Sequence, residues 1–336
     1  MSWKFWKQHR EPMPAPERPD WERVLINRLV AEYLDDQRKR RRWSTLFKLL
    51  ILVYLFGVLV AVNSQGLSEA VKVGEDHTAL IEINGIIAAD SDASADRVIT
   101  ALRAAFESKH VKGIILRINS PGGSPVQAGY INDEIRRLKE KYRKDHPGKD
   151  MPVYAVAVDL CASGGYYVAA GADAIYVDKA SLVGSIGVRI DSFGFQKAME
   201  ELGIERRLLT AGVNKGILDP FSPLEPAQRN FIQGVLDRLH RQFIAAVKQG
   251  RGDKLKGGDE LFSGLFWSGE EAVELGLADG LGSSSQVARE LIKAEKIVEY
   301  TKKRDLLESI AKRFGVLVGV GLLEGLGVST ALNLPH

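Results

Sequence analysis

Val153-Tyr-Ala-Val-Ala-Val-Asp-Leu-Cys-Ala-Ser163-Gly-Gly-Tyr-Tyr167 runs from an apolar stretch straight into paired glycines. Val153–Val158 has the length and the valine content of a buried strand. Ser163–Ala170 then reads as the start of a helix. The same grammar recurs on the N-terminal side. Ala79–Ile83 is a short apolar strand, and Ala95–Phe106 carries helical spacing at Val98, Ile99, Leu102 and Phe106. Gly113–Ile118 (GIILRI) is a dense strand, and Pro125 to about Lys144 is a charged amphipathic helix. On the C-terminal side Ala174–Val177 is again a strand. Strands separated by helices imply parallel pairing within an α/β domain. Further along, Arg207–Leu209 is strand-like. Glu225–Gln249 is a long helical pattern with Phe231, Val235, Leu239 and Phe243 on one face, and Gly269–Leu275 is a short helix.

The turns that follow the strands hold the candidate chemistry. A serine before two glycines at a helix start suits a nucleophile, because the helix N-terminus favours negative charge at its oxygen. The Gly164 N–H is placed to meet a developing oxyanion. A serine at this position also commonly caps the helix. Asn119-Ser-Pro-Gly-Gly123-Ser124 follows GIILRI and precedes a helix, so its glycines expose further N–H groups at a helix start. It matches neither the Walker A nor the dinucleotide pattern.

A nucleophilic serine needs a base. The six histidines are His9, His77, His110, His146, His240 and His336, and none lies between Ser163 and His240. A lysine made neutral by desolvation can serve instead. Lys215, in the small-residue loop Ala211-Gly-Val-Asn-Lys-Gly216, is the candidate, although a loop lysine is ordinarily a solvated one. With Lys215 as base, activity rises as the amine deprotonates, with a midpoint below the ordinary lysine value of about 10.4.

Hydrophobic residues make up 45% of the 336 and charged residues 26%, a globular composition. The lone Cys161 excludes an intrachain disulfide framework and a cysteine metal cluster. Nothing in the sequence calls for a cofactor or a metal. The net charge of +3 is local: residues 1–43 carry eleven Lys/Arg against seven Asp/Glu, and the remainder carries 35 against 36. That excess borders an apolar run, Leu46–Val62, and follows Arg38-Lys-Arg-Arg-Arg42. The pattern fits membrane topology with basic residues held in the cytoplasm and excludes a phosphate-binding face. The run is short for a span of roughly 20 residues, but Lys48 near its start can snorkel. The expected organisation is a cytoplasmic basic segment (1–44), a transmembrane signal anchor (45–64), an extracytoplasmic domain (65–300) and a C-terminal tail (301–336). The tail is apolar and Gly-rich, and residues 314–332 look like a signal-peptide core.

Several segments together resemble the signal peptide peptidase A family of bacterial membrane serine proteases, in its single-domain form. Cys161-Ala-Ser-Gly-Gly-Tyr-Tyr167 looks like its nucleophile motif, and Asn119–Gly123 like its oxyanion segment. Gly184-Ser-Ile-Gly187 looks like its lysine-positioning motif, and Trp267–Gly282 like its late signature. The resemblance covers about Ala79 to about Leu281. It implies the Clp protease/crotonase-like fold of repeated β-β-α units, preceded by one N-terminal transmembrane helix. It also implies a Ser/Lys dyad, with Ser163 as nucleophile, Lys215 as general base and Ser185 orienting the lysine. The N–H groups of Gly123 and Gly164 would form the oxyanion hole. Implied partners are remnant signal peptides as substrates, the lipid bilayer, and further copies of the chain in a ring. The implied location is the bacterial inner membrane, single-pass, with the protease domain outside. A crotonase-like acyl-CoA enzyme is opposed by the anchor. A Clp-type Ser-His-Asp protease is opposed by the histidine positions. A catalytically inactive membrane scaffold leaves Ser163, Ser185 and Lys215 occurring together without a reason.

Overall fold

The computed structural model describes residues 41–54 and 74–301, with isolated positions at 23, 26, 30, 33 and 37. The chain divides into two compact units, Met1–Lys72 and Val73–His336. In the first, residues 41–54 are helical. Residues 55–64 of the expected anchor lie outside the described residues, as do most of the basic segment and the tail beyond Thr301. Among the described residues no helix is long and apolar enough to cross a membrane.

The second unit is an α/β domain. Its elements run β1 (His77–Asn84), α1 (Ala95–Glu107), β2 (Val111–Ser120), α2 (Pro125–Asp145), β3 (Val153–Ala162), α3 (Gly164–Ala169), β4 (Ala174–Val177) and β5 (Leu182–Gly184). There follow α4 (Gln196–Glu201), α5 (Pro226–Arg251), β6 (Phe266–Ser268), α6 (Gly269–Glu274), β7 (Gly280–Leu281) and β8 (Ile297–Glu299). The sheet order is β6-β5-β3-β2-β1-β8, with β4 and β7 branching from β3. Every pairing is parallel except β5 with β6. β3 divides its free edge: Tyr154–Val156 pair with β4, and Leu160–Ala162 pair with β5. The second strand expected of each β-β-α unit is, after β1, reduced to the single bridge Ile87–Gly123.

The apolar density of GIILRI follows from where its residues go. Side chains alternate between the two faces of a strand, so a strand covered on both sides reads as a continuous apolar run. Ile114, Leu116 and Ile118 face the larger core with Ala79, Ile81 and Ile83 of β1. Val98 and Leu102 of α1 and Ile131 and Ile135 of α2 close over them, all without exposure. Ile115 faces the other way, with Leu80 and Val156, under Val287, Ala288 and Ile292. Each fully buried isoleucine contributes about 1.5–3 kcal/mol.

Polar bonds fix the helices that crown the sheet. Pro125 opens α2 at the position where its missing N–H costs nothing, and the Ser124 side chain accepts from the Gln127 N–H. The Gln127 side chain in turn accepts from the Ala95 N–H at 2.8 Å, which ties the start of α1 to α2. Lower down, Glu134 accepts from Arg103 at 2.7 Å and from Arg137 at 2.6 Å. These bonds hold its carboxyl down to about 2, led by the Arg137 hydrogen bond against an opposing effect of burial.

Two expectations change. Arg207–Leu209 forms no strand and is exposed. The α5 stripe is covered only towards its C-terminal end: Phe243 is buried at 4% exposure, whereas Phe231 is 63% exposed. Helical periodicity marks a face that prefers cover but not how far the domain reaches along it.

Candidate active site

The parallel strands deliver their carboxyl ends to one place. This is where open α/β sheets bind ligands, because the crossover turns and helix N-termini gather there. β2 ends at Ser120, β3 at Ala162 and β5 at Gly184, and the turn after each contributes to a cavity of about 770 Å³. Ser163, Ser185, Gly123 and Gly164 all line it.

Ser163 sits between β3 and α3 with φ 50° and ψ −119°. A side chain in this region costs roughly 1–3 kcal/mol and persists only where its surroundings impose it. Here the Ser163 N–H donates to the Gly184 carbonyl at 2.8 Å, and its carbonyl accepts from the Tyr167 N–H at 2.9 Å. Tyr166, fully buried, anchors α3 by donating its hydroxyl to the Leu277 carbonyl at 2.8 Å. The Ser163 side chain makes no capping bond. The hydroxyl is therefore not the helix cap that serine commonly supplies at such a position, and it belongs to the cavity. Cys161, two residues earlier, is fully buried, and desolvation pushes its thiol up to about 12, so it is inert.

The glycines beside Ser163 are dictated by space. A Cβ on Gly122 would lie 2.7 Å from the Ser163 Cβ and 2.6 Å from the Gly164 nitrogen. On Gly123 it would lie 2.2 Å from the Ile87 carbonyl oxygen, with φ at 147°. Ile87 fastens this turn, donating its N–H to the Gly122 carbonyl and accepting from the Ser124 N–H, both at 2.8 Å. The N–H groups of Gly123 and Gly164 donate to no backbone acceptor among the described residues. They are neighbours, since a Cβ on Gly164 would sit 3.3 Å from the Gly123 nitrogen. Two unengaged backbone donors beside a serine hydroxyl meet the electrostatic demand of a tetrahedral intermediate.

Ser185 also has a positive φ, 51°, so two of the four such non-glycine residues among the described residues fall in this one site. Its N–H donates to the Leu265 carbonyl at 2.7 Å. Lys215 is placed differently. It lies in a turn-rich loop, is exposed, and does not line the cavity. Its neighbours Leu209 and Val213 are 95% and 96% exposed. The structure thus brings together four of the five expected site residues and leaves the lysine outside.

Some of the cavity wall was not foreseen. Ile86, after β1, and Leu239, Gln242 and Phe243 of α5 line it. Phe243 stacks on Tyr167 with ring centroids 4.9 Å apart, which couples α5 to the helix that carries the serine. The amphipathic stripe of α5 holds Leu239 and Phe243, but a stripe does not say which part of the core it meets. Among the described residues no group of three His, Cys, Asp or Glu side chains stands close enough to hold a metal ion.

A strained serine beside paired, unengaged amides is an arrangement that can support acyl transfer. The comparisons point to the same class. The profile of peptidase family S49 matches residues 146–298, a stretch that contains Ser163, Ser185 and Lys215. A protein of Methanocaldococcus jannaschii named as a candidate protease is 32% identical over 224 residues, covering 65% of this chain and 68% of the relative. A candidate signal peptide peptidase SppA of Enterococcus faecium is 29% identical over 229 residues, 66% of this chain and 64% of the relative. A Brucella abortus protein named Na(+)/H(+) antiporter NhaA is 43% identical over 188 residues, which are 56% of this chain and 25% of that protein. The chain thus spans a quarter of the Brucella relative and just under two thirds of the Enterococcus one. It belongs to peptidase family S49, the signal peptide peptidase A family.

Proposed function

We propose that the protein is a membrane-anchored serine endopeptidase that cleaves remnant signal peptides, and misfolded secreted proteins, with Ser163 as nucleophile and Lys215 as general base. The observation that carries this reading is the strained, uncapped Ser163 facing the free amides of Gly123 and Gly164. Ser163 attacks a peptide carbonyl, Lys215 takes its proton, and the carbonyl oxygen becomes an oxyanion held by the two amides. Collapse expels the amine, which leaves with a proton returned from Lys215. Water then hydrolyses the acyl-enzyme by the same route. Ser185, on the cavity wall, orients the lysine amine. The domain is assigned to the Clp protease/crotonase superfamily, in keeping with its parallel sheet and its oxyanion donors drawn from two neighbouring turns.

Lys215 has to approach the cavity for this chemistry. Its segment, residues 188–225, exposes Phe193, Leu202, Leu209 and Val213, an apolar surface that calls for cover. Closure of the loop, or assembly of several copies into a ring, supplies that cover and carries the lysine inward. The apolar run at 46–62 and its basic flank support a single-pass anchor in the bacterial inner membrane, with the N-terminus cytoplasmic and the protease domain outside. Peptide cleavage by wild type, Ser163→Ala and Lys215→Ala tests the reading. Cleavage by wild type alone is expected. Equal cleavage by all three would place the chemistry elsewhere. A folded, assembled wild type that cleaves nothing would favour an inactive scaffold, the reading to which the exposed position of Lys215 lends weight.

A further inference from the structure

We propose that His240 is a positioning residue for the reaction at Ser163, acting through the turn Gly184–Gly187; this rests on the protease reading above. The turn stands next to the nucleophile in the bonding order. The Gly184 carbonyl receives the Ser163 N–H at 2.8 Å, so the two strained serines are one hydrogen bond and one residue apart. Ser185 itself holds φ 51°, and a non-glycine residue stays there only under external restraint. Three restraints are visible. The Ser185 N–H donates to Leu265, the Gly187 N–H donates back to the Ser185 carbonyl at 2.9 Å, and the Ile186 side chain is fully buried. The fourth comes from another element: the Nε2 of His240, on α5, lies 3.0 Å from the Ile186 carbonyl oxygen.

This bond gives His240 a role the sequence did not suggest. A carbonyl oxygen only accepts, so Nε2 must carry a proton and donate, as it does in one neutral tautomer and in the charged ring. His240 does not line the cavity that holds Ser163, whereas Leu239, Gln242 and Phe243 beside it do, so it does not act there as the base. It fixes the carbonyl between Ser185 and Gly187 instead. α5 has its own anchorage in Phe243, Ala246 and Val247, all buried. Loss of the imidazole therefore leaves the helix seated and releases the turn. Once released, Ser185 relaxes towards ordinary φ and the Gly184 carbonyl moves, taking the Ser163 N–H with it. Misplacement of a reacting group by about 1 Å costs on the order of 10²-fold in rate.

The test compares the full-length chain with His240→Leu and His240→Gln, the glutamine amide keeping a donor at similar reach. His240→Leu is expected to lower kcat about 10- to 100-fold with KM nearly unchanged and the melting temperature retained. Amide exchange in peptides covering residues 185–188 should quicken, and His240→Gln should restore most of both. Unchanged kcat in His240→Leu would overturn the proposal, as would a loss confined to KM or a glutamine variant no better than leucine. Exchange at the turn is read without any substrate. If the wild type cleaves no peptide, the protease reading fails on its own, and unchanged exchange in His240→Leu would then still refute the restraint.

Discussion

Ser163, the proposed nucleophile, and the segment that carries Lys215 are built on opposite principles. Ser163 follows directly on a strand in the middle of the sheet, and backbone bonds to Gly184 and Tyr167 hold it in a conformation it would not adopt alone. Residues 188–225 surround Lys215 with exposed side chains, and α4 within them buries none. One half of the proposed catalytic pair is therefore fixed by core packing, and the other is carried on a surface that no core pins. Chemistry that needs great accuracy at one partner can be assembled late by bringing up the other.

The largest effects should come from the proposed pair itself, one member in each half. Ser163→Ala is expected to abolish turnover, and Lys215→Ala to cost about 10⁴-fold or more in kcat, because nucleophile and base act as a unit. Near-equal losses from two such different settings would show that the loop does reach the site. Phe243→Ala should destabilise the domain by about 3–5 kcal/mol in a denaturant titration, since it empties a buried site against Tyr167. Phe231→Ala, on the exposed part of the same helix, should stay within about 0.5 kcal/mol for the isolated chain, and if the proposed ring forms it should weaken that assembly in sedimentation.

Gly123→Ala comes next. It forces a side chain onto φ 147° and against the Ile87 carbonyl, and so displaces one of the two proposed oxyanion donors. A kcat loss of about 10²–10³ is expected, with KM little changed. A loss confined to KM would move the amide from transition-state to ground-state binding. The smallest effect concerns pH. Glu134 titrates at about 2 in the fold against an ordinary 4.5. A depressed carboxyl contributes stability that is fully present above the unfolded value and is lost as pH falls through the folded one. Unfolding free energy measured from pH 5 down to 2 should therefore decline, and Glu134→Gln should flatten that decline while costing about 2 kcal/mol at neutral pH.

The rigid half was also the legible half. The run 153–167 announced its strand, turn and helix because apolar density and paired glycines are local signals, and Ala174–Val177 fell where apolar density put it. The strain at Ser163 was not legible, because it comes from a bond to Gly184 on another strand. Nor was the shared edge of β3, or the addition of β8 beside β1, since both are contacts between distant segments whose own residues number only three or four. Arg207–Leu209 shows the converse error. A pair of leucines after a pair of arginines looks like the start of a strand, but without a neighbour to pair these residues remain exposed loop. Lys215 was chosen for its setting among small residues and for the Ser/Lys dyad that the family resemblance implies, and neither says which surface the loop rests on.

The most direct test of the account is covalent. A serine-directed fluorophosphonate, applied to the assembled full-length protein and followed by peptide mass spectrometry, reads the nucleophile itself. The account predicts a single adduct on Ser163, slowed severely in Lys215→Ala and absent in Ser163→Ala. An adduct on another residue, or labelling of Ser163 at full rate without Lys215, would contradict the Ser/Lys pairing.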